Sequence, residues 1–274
     1  MPGDGMTPPV ALTIAGSDSG GGAGIQADLK TFAALGVHGT CAVTALTAQN
    51  TRGVNGVHVA PAEFVVAQVD AVLDDLRVAA VKTGMLATAT VVAAVADLAA
   101  SGRLPNLVVD PVMVATSGDR LLDPEAESLY VEALLPRARV LTPNLREAEV
   151  LLGTRIRSLA EQRDAARALG ALGPEVVVVK GGHPVPDGPD QAVDVVWDGT
   201  STHDLSAPRV RTTNDHGSGC TFAAATTAAL AHGATPVPAV RSAKDYVSRA
   251  LGGGASWRLG QGHGPLDHAA GGRR

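Results

Sequence analysis

The chain is organised around the stretch Arg211-Thr212-Thr213-Asn214-Asp215-His216-Gly217-Ser218-Gly219-Cys220-Thr221. Polar and turn-forming residues lead into its Gly-x-Gly, and an alanine-rich run, Phe222 to Ala231, follows at once. Because alanine is the best helix former, the pattern predicts a helix that begins near Gly219. Gly233 is expected to close this helix at its carboxyl end.

The start of this helix is a candidate anion-binding site. The first N–H groups of a helix have no partner within it, and neighbouring glycines let an anion approach the backbone closely. The helix dipole adds positive potential at the same end. Cys220 lies at the mouth of this site, where the setting is expected to favour its thiolate form. The alternative is an ordinary glycine turn before a core helix, with Cys220 as an inert small hydrophobe.

Composition narrows the classes of function. The 274 residues carry a net charge of −5 and no block of lysine and arginine, which argues against a nucleic-acid partner. No apolar run approaches the ~20 residues that span a bilayer, so no membrane partner is expected. The first residues show no signal-peptide pattern. The two cysteines, Cys41 and Cys220, have no metal-type spacing, so the chain is expected to be cytoplasmic and reduced.

Strand and helix patterns alternate along the chain. Strands are predicted at 10–16, 40–48, 54–59, 78–81, 107–110, 139–141, 176–179, 193–197 and 202–206. Helices are predicted at 25–35, 61–76, 89–100, 124–134, 145–152, 159–169, 219–231 and 239–251. This alternation predicts a three-layer α/β/α fold with a doubly wound, mostly parallel sheet. A (β/α)₈ barrel is the rival, but the hairpin at 193–206 and two consecutive terminal helices favour the open sheet. We expect one domain, 1–274, with flexible ends at 1–9 and 268–274.

Polar residues cluster where the predicted strands end, which is where open α/β sheets bind ligands. These residues are Asp18, Gln49, Lys82, Asp110, Asn144, Glu147 and Lys180. They suit phosphoryl transfer, which needs alignment and charge neutralisation more than covalent help. Lys180 can reach phosphate oxygens, and Asp110 and Glu147 can hold Mg²⁺ through waters. Taken singly, the pattern favours a surface charge for Lys180, a strand-end turn residue for Asp110, and a capping residue after Asn144 for Glu147. Their joint placement on one edge of the sheet favours the site.

Other nucleotide and catalytic motifs are absent from the sequence. It contains no P-loop, and the run from Gly20 to Gly24 does not form Gly-x-Gly-x-x-Gly because Ile25 holds the last position. It also has no His-Glu-x-x-His, no Cys-x-x-Cys and no Gly-x-Ser-x-Gly with a triad behind it.

Several longer motifs together carry a family resemblance. They are Leu12-Thr13-Ile14-Ala15-Gly16-Ser17-Asp18, Gly21-Gly22-Ala23-Gly24-Ile25-Gln26-Ala27-Asp28-Leu29-Lys30-Thr31, Thr44-Ala45-Leu46-Thr47-Ala48-Gln49-Asn50-Thr51, Lys82-Thr83-Gly84-Met85-Leu86, Thr142-Pro143-Asn144-Leu145, Val179-Lys180-Gly181-Gly182-His183 and His216-Gly217-Ser218-Gly219-Cys220-Thr221. On these motifs, over about residues 10–265, the chain resembles the hydroxymethylpyrimidine/phosphomethylpyrimidine kinases of thiamine synthesis, in the ribokinase-like superfamily.

The resemblance implies a substrate, a cofactor and a site. The substrate is 4-amino-5-hydroxymethyl-2-methylpyrimidine, phosphorylated twice by ATP with Mg²⁺. The implied catalytic residues are Cys220, Gly217, Ser218, Gly219 and Lys180, with Cys220 as base. The implied pyrimidine-binding residues are Gln49, Met85, Asp28, Gly16 and Ala23; those for ATP are Lys180, Asn144, Ser218 and Gly219; those for the metal are Asp110 and Glu147. Without the resemblance, the sequence favours a loop-capping amide for Gln49 and a core residue for Met85.

The chain departs from the family pattern at three places. Ser17-Asp18-Ser19-Gly20 stands where Thr-Asp-Pro-Ser is usual, Thr116 precedes Ser117-Gly118-Asp119 where Lys is frequent, and Ser218 replaces Thr. Two other functions stay open: a pyridoxal-type kinase on the same fold, and a non-catalytic pyrimidine-binding regulatory protein. The Gln49-Asn50-Thr51 segment and Cys220 favour the pyrimidine kinase. The sequence leaves the oligomeric state open, a homodimer included.

Overall fold

The computed structural model describes residues 7–113, 124–182 and 191–272. Within them lie the strands β1 (Val10–Asp18), β2 (His38–Asn50), β3 (Gly53–Val59), β4 (Val78–Thr83), β5 (Val108–Val109), β6 (Val140–Leu141), β7 (Val176–Val179), β8 (Gln191–Trp197) and β9 (Thr202–Pro208). The helices are α1 (Gly24–Ala34), α2 (Ala62–Leu73), α3 (Ala89–Ala100), α4 (Pro124–Leu129), α5 (Leu145–Leu152), α6 (Leu159–Gly170), α7 (Ser218–Ala231), α8 (Pro236–Gly254) and α9 (His268–Gly272). The Thr116–Asp119 segment and His183 lie outside the described residues.

The nine strands form one sheet in the order β3-β2-β1-β4-β5-β6-β7-β8-β9. The pairs from β2 through β1 and β4 to β7 are parallel, while β3, β8 and β9 pair antiparallel with their neighbours. The chain steps outward from β1 to β2 and then crosses back to β4, so strand order reverses beside β1. This arrangement confirms the mostly parallel, doubly wound sheet and rules out the barrel. The expected single domain stays a prediction, and the one sheet supports it.

Helices cover both faces of the sheet. On one face α2, α3, α5 and α6 pack on the larger core, in which Val69, Val95 and Leu169 are fully buried. On the other face α1, α7 and α8 pack on a second core through Phe222 and Tyr246. The nearly all-apolar β7, Val176–Val179, is buried throughout because helices lie above and below it. The small side chains of α7 let it lie close to the sheet.

Local signals explain where most helices begin and end. The Thr88 side chain caps α3, and Ser158 caps α6. The capping box at the start of α5 joins Asn144 and Glu147, so the capping role considered for Glu147 is confirmed. After α7, Gly233 has a φ of +89° and its N–H donates to the Leu230 carbonyl, as expected for a closing glycine.

Several elements differ from the sequence expectation. The helix expected over 124–134 changes at Tyr130 into a π-turn and then a 3₁₀ turn, Leu135–Arg137. The first two strands run two residues further than their apolar patterns, because polar residues up to Asp18 and Asn50 continue the backbone pairing. Residues 268–272 belong to the end of the chain that the sequence predicts to be flexible. These residues form α9, where His268 is buried and its carbonyl accepts a bond from Tyr246.

No helix in the described ranges has both the length and the apolar character needed to cross a bilayer.

The start of α7 approaches the backbone of the loop after β1 very closely. Gly217 has a φ of +82°, and a Cβ added there would lie 1.9 Å from the Gly22 carbonyl oxygen. A side chain at this position therefore forces the loop after β1 away from α7.

We predict that Gly217→Ala destabilises the protein by more than 2 kcal/mol, the roughly 1 kcal/mol cost of an L-residue at positive φ plus that of the displaced loop. Gly233→Ala is the matched control, since Gly233 also has positive φ but open space around it. Urea unfolding of both variants measures the difference. Equal losses would show that the close approach to Gly22 is unimportant.

Candidate active site

A cavity of about 300 Å³ opens at the carboxyl ends of the parallel strands, beside the point where strand order reverses. This is the expected ligand position in a doubly wound sheet. Of the residues singled out from the sequence, it is lined by Gly16, Ala23, Gln49, Met85, Asp110, Asn144, Glu147, Lys180, Gly217, Ser218, Gly219 and Cys220. The chain thus brings twelve of the thirteen candidates together around one space.

Asp28 is the exception. Its side chain is fully buried below the cavity, where its carboxylate accepts a 2.7 Å bond from the Thr13 hydroxyl and lies 3.1 Å from the Lys82 ammonium. Asp28 does not line the cavity, and the direct contact with a substrate that the resemblance implies stays a prediction. Asp28 instead supports Lys82, which does line the cavity.

The glycine nest, Gly217–Cys220, forms the first turn of α7. The Thr221 N–H donates to the Gly217 carbonyl, so the N–H groups of Gly219 and Cys220 precede the regular helical bonds and point out of the helix end. The Lys180 ammonium lies 3.3 Å from where a Cβ on Gly219 would be. Helix dipole, exposed amides and a lysine therefore act on the same volume, which suits a phosphate group.

Cys220 corrects the sequence expectation. Burial raises the pKa of its thiol to about 12, although the Lys82 charge and an N–H group of Gly24 act in the opposite direction. The expected lowering of this pKa by the helix N-terminus is therefore wrong. The reason is that loss of hydration outweighs the local dipole, and the nearby carboxylates Asp28 and Asp110 add to it. Cys220 retains some exposure, towards the cavity.

Lys82 is a buried cation. Its position in the sequence predicts that it lies at a strand end but assigns it no role. Burial disfavours its charge, but the carboxylate of Asp28 and other nearby acidic groups raise the pKa of the ammonium above its usual range. Burial also raises the pKa of Asp28, against the influence of Lys82. We assign the ion pair, because the 3.1 Å contact satisfies both charges and a lone buried ammonium would be costly. The one hydrogen bond that Lys82 makes in the described part of the chain leaves two N–H donors beside the cavity.

Two acidic side chains, those of Asp110 and Glu147, lie near Lys180 at the cavity. The ammonium lies 2.9 Å from Asp110, whose carboxylate also accepts a bond from Thr142. Burial raises the pKa of Glu147 well above its usual range, Asp110 raises it further, and Lys180 opposes the shift. The Asp110 charge disfavours ionisation of Glu147, and a divalent cation would stabilise the two carboxylates together. No cluster of three or more acidic, histidine or cysteine ligands occurs in the described ranges.

Asp18 ties the loop after β1 to α7. Its carboxylate accepts bonds from the N–H groups of Gly20, Gly22 and Ala23, at 2.7, 3.0 and 2.8 Å, and lies 2.9 Å from His216 Nε2. Burial alone would raise the pKa of Asp18, but the bonds from His216, Ala23 and Gly20 bring it to about 2. The carboxylate is therefore ionised at neutral pH.

Two further cavity residues carry no sequence signal. Lys244, on α8, lies 2.9 Å from Asp194 on β8, and the Asp194 carboxylate also accepts the Gly181 N–H. Both side chains are buried and line the end of the cavity beside β8 and β9. Lys244 sits in a polar helix far along the sequence, and Asp194 in a hairpin strand, so only the fold brings them to the site.

The chain was compared with known proteins. The family model described as phosphomethylpyrimidine kinase matches residues 18–267. A hydroxymethylpyrimidine/phosphomethylpyrimidine kinase from Rhizobium meliloti is 51% identical over 94% of this chain and 96% of its own length. The ADP complex of Bacillus subtilis pyridoxal kinase has a TM-score of 0.87 at 38% identity, covering 96% of this chain and 98% of that one. Phosphomethylpyrimidine kinase from Clostridium difficile has a TM-score of 0.78 at 38% identity, covering 89% and 99%.

We predict that Asp18→Asn destabilises the protein by about 2 kcal/mol at pH 7, from a pKa of about 2 in the folded state against an ordinary 3.8. Because the folded pKa is the lower one, this contribution is complete above the unfolded pKa and is lost as pH falls from about 4 to 2. Unfolding free energies of both proteins, measured from pH 7 downwards, should converge in that window. A difference that is constant with pH would contradict the assignment.

Proposed function

The chain belongs to the phosphomethylpyrimidine kinase family, and we propose that it transfers phosphate from ATP to 4-amino-5-hydroxymethyl-2-methylpyrimidine, and then to the resulting monophosphate, in thiamine biosynthesis. One observation carries this proposal: a single cavity joins Gln49 and Met85 at one end to the glycine nest and Lys180 at the other. A flat ring and a phosphate chain can therefore meet in one space.

The pyrimidine end of the cavity suits a flat, nitrogen-rich ring. The Met85 side chain lies over Gly16, where an added Cβ would come within 2.4 Å of its Cε. Met85 thus supplies an apolar wall, and the glycine beneath leaves the methionine room to lie flat. Gln49 supplies an amide, whose donor and acceptor match the amino group and the neighbouring ring nitrogen of an aminopyrimidine.

The other end of the cavity suits the transferred phosphate. The N–H groups of Gly219 and Cys220 and the Lys180 ammonium would stabilise charge on its oxygens. Asp110 and Glu147 would hold Mg²⁺, which supplies charge neutralisation on the phosphates when bound. The cavity continues past Asn144 to Asp194 and Lys244, which is space for the rest of the nucleotide.

The first transfer must also move a proton. The hydroxymethyl oxygen bonds to the terminal phosphorus, the bond from that phosphorus to ADP breaks, and the hydroxyl proton needs an acceptor. We assign that role to the thiolate form of Cys220. Because the pKa of the thiol is about 12, it must first release its own proton to solvent, and the Lys82 charge favours this release. In the second transfer the acceptor is a phosphate oxygen that is already ionised, so no base is needed.

A pyridoxal-type kinase is the second candidate, since a pyridoxal kinase shares the fold at a TM-score of 0.87. The full-length resemblance to the Rhizobium meliloti enzyme favours the pyrimidine. A markedly higher kcat/KM for pyridoxal than for the hydroxymethylpyrimidine would reverse this choice. Binding of the pyrimidine without consumption of ATP would support the regulatory alternative. The cytoplasmic location and the homodimer stay predictions.

The proposed reaction can be observed directly. Incubation of the protein with Mg·ATP and the hydroxymethylpyrimidine should add one phosphate and then a second to the pyrimidine, as followed by mass spectrometry. One ADP should form for each phosphate that is added to the pyrimidine. A pyrimidine of unchanged mass would contradict the proposed function.

We predict that Cys220→Ala lowers the rate of the first transfer by about 10²–10⁴, the range for loss of a general base, while pyrimidine affinity changes little. Because the second acceptor is already ionised, the second transfer should lose much less. Gln49→Ala is the contrasting variant and should mainly weaken pyrimidine binding. Single-turnover assays with each acceptor separate these effects, and an unchanged first transfer in Cys220→Ala would remove Cys220 as the base.

A further inference from the structure

The Gln49 amide, at the pyrimidine end of the cavity, lies between two polar side chains. Its nitrogen Nε2 lies 3.4 Å from His216 Nε2, and its oxygen Oε1 lies 3.1 Å from Thr47 Oγ1. Each neighbour has a second, shorter contact. His216 Nε2 lies 2.9 Å from Asp18, and Thr47 Oγ1 lies 2.8 Å from the Ser17 carbonyl oxygen.

The proton count at His216 is fixed by Asp18. The Asp18 carboxylate is ionised and can only accept, so the hydrogen between the two residues belongs to His216 Nε2. A ring nitrogen that carries a hydrogen has no lone pair left in the ring plane. That hydrogen is directed to Asp18 at 2.9 Å and can only be shared with a second acceptor, so His216 offers the Gln49 amide a shared hydrogen and no lone pair.

The proton count at Thr47 is fixed in the same way. The Ser17 carbonyl oxygen can only accept, so the single hydroxyl hydrogen of Thr47 points to it at 2.8 Å. The Thr47 oxygen then has lone pairs to offer Gln49, and no hydrogen. Both neighbours of the amide thus have settled and opposite roles: His216 donates, and Thr47 accepts.

A half-turn about the last side-chain bond of Gln49 exchanges its oxygen and nitrogen and leaves its shape unchanged. In that orientation Oε1 accepts from His216 Nε2 and the Gln49 NH₂ group donates to Thr47 Oγ1, so every hydrogen has an acceptor. We propose that Asp18, His216 and Thr47 hold the Gln49 amide in this one orientation, and that His216 and Thr47 are positioning residues that determine which pyrimidine edge Gln49 recognises. This rests on the proposed function, in which Gln49 contacts the pyrimidine.

The consequence concerns specificity. With one hydrogen and one lone pair already engaged, the amide keeps one N–H and one lone pair for the substrate, in a fixed order along its edge. The 4-amino pyrimidine presents an amino donor beside a ring-nitrogen acceptor. Its 4-oxo analogue presents a carbonyl acceptor beside a ring N–H donor, which is the reverse order. A held amide accepts one of the two compounds, whereas a free amide can turn to suit either.

The test uses 4-amino-5-hydroxymethyl-2-methylpyrimidine and its 4-oxo analogue, with kcat/KM for the first transfer measured for each. The wild type should favour the 4-amino compound by on the order of a hundredfold or more, since a mismatched edge leaves buried polar groups unpaired. Thr47→Val removes the acceptor and His216→Leu removes the donor. Each should reduce this preference by about tenfold, the worth of one hydrogen bond that holds the amide.

Matched controls keep the hydrogen-bonding groups. Thr47→Ser retains the hydroxyl, and His216→Gln retains an N–H at a similar reach, so both should stay within about threefold of the wild-type preference. A loss of structure alone would lower kcat/KM for both compounds equally and leave their ratio unchanged. Thermal unfolding identifies any variant that fails to fold, and Thr47→Val carries the test if His216→Leu is one of them.

Different results would overturn the positioning role and the proposed function. If folded Thr47→Val and His216→Leu keep the wild-type preference for the 4-amino compound, the positioning role is overturned while the kinase assignment stands. If the wild type phosphorylates neither compound, the proposed function itself is overturned, and this inference with it.

Discussion

Four N–H groups converge on the carboxylate of Asp18, and the geometry of the site depends on that convergence. Three come from the backbone of the glycine-containing loop after β1, and the fourth from His216, just before α7. An ionised carboxylate with four donors strongly favours one loop conformation. It fixes the loop against the start of α7, where Gly217 contacts the Gly22 carbonyl, and so sets the pyrimidine end of the cavity relative to the glycine nest.

Each of three lysines that line the cavity is paired with a buried aspartate. Lys82, Lys180 and Lys244 each lie about 3 Å from one aspartate, Asp28, Asp110 and Asp194 respectively. Each pair offsets the cost of burying a charge and leaves lysine N–H groups facing the space where phosphates would lie. The fold therefore holds three buried cations beside the cavity without any of them being isolated. This suits a reaction that moves negative charge from one oxygen to another.

Much of this could be predicted from the sequence. The apolar runs of β7 and the periodic patterns of α3 and α5 gave the right elements, because local pattern and tertiary packing agree there. Twelve candidate residues line one cavity, and those from Gly217 to Cys220 do so at the start of α7. Other features depend on neighbours far away in sequence. The raised pKa of Cys220, the burial of Asp28 under the cavity, and the arrival of Lys244 from α8 all arise from packing that no local pattern encodes.

The central claim is that the glycine nest receives the transferred phosphate while Gln49 receives the pyrimidine. A crystal structure of the protein with a non-hydrolysable ATP analogue, Mg²⁺ and the hydroxymethylpyrimidine tests this most directly. The account predicts that oxygens of the terminal phosphate lie within hydrogen-bonding distance, about 3 Å, of the N–H groups of Gly219 and Cys220. It also predicts that the hydroxymethyl oxygen lies between that phosphate and the Cys220 sulfur. A terminal phosphate bound away from residues 217–220 would contradict it.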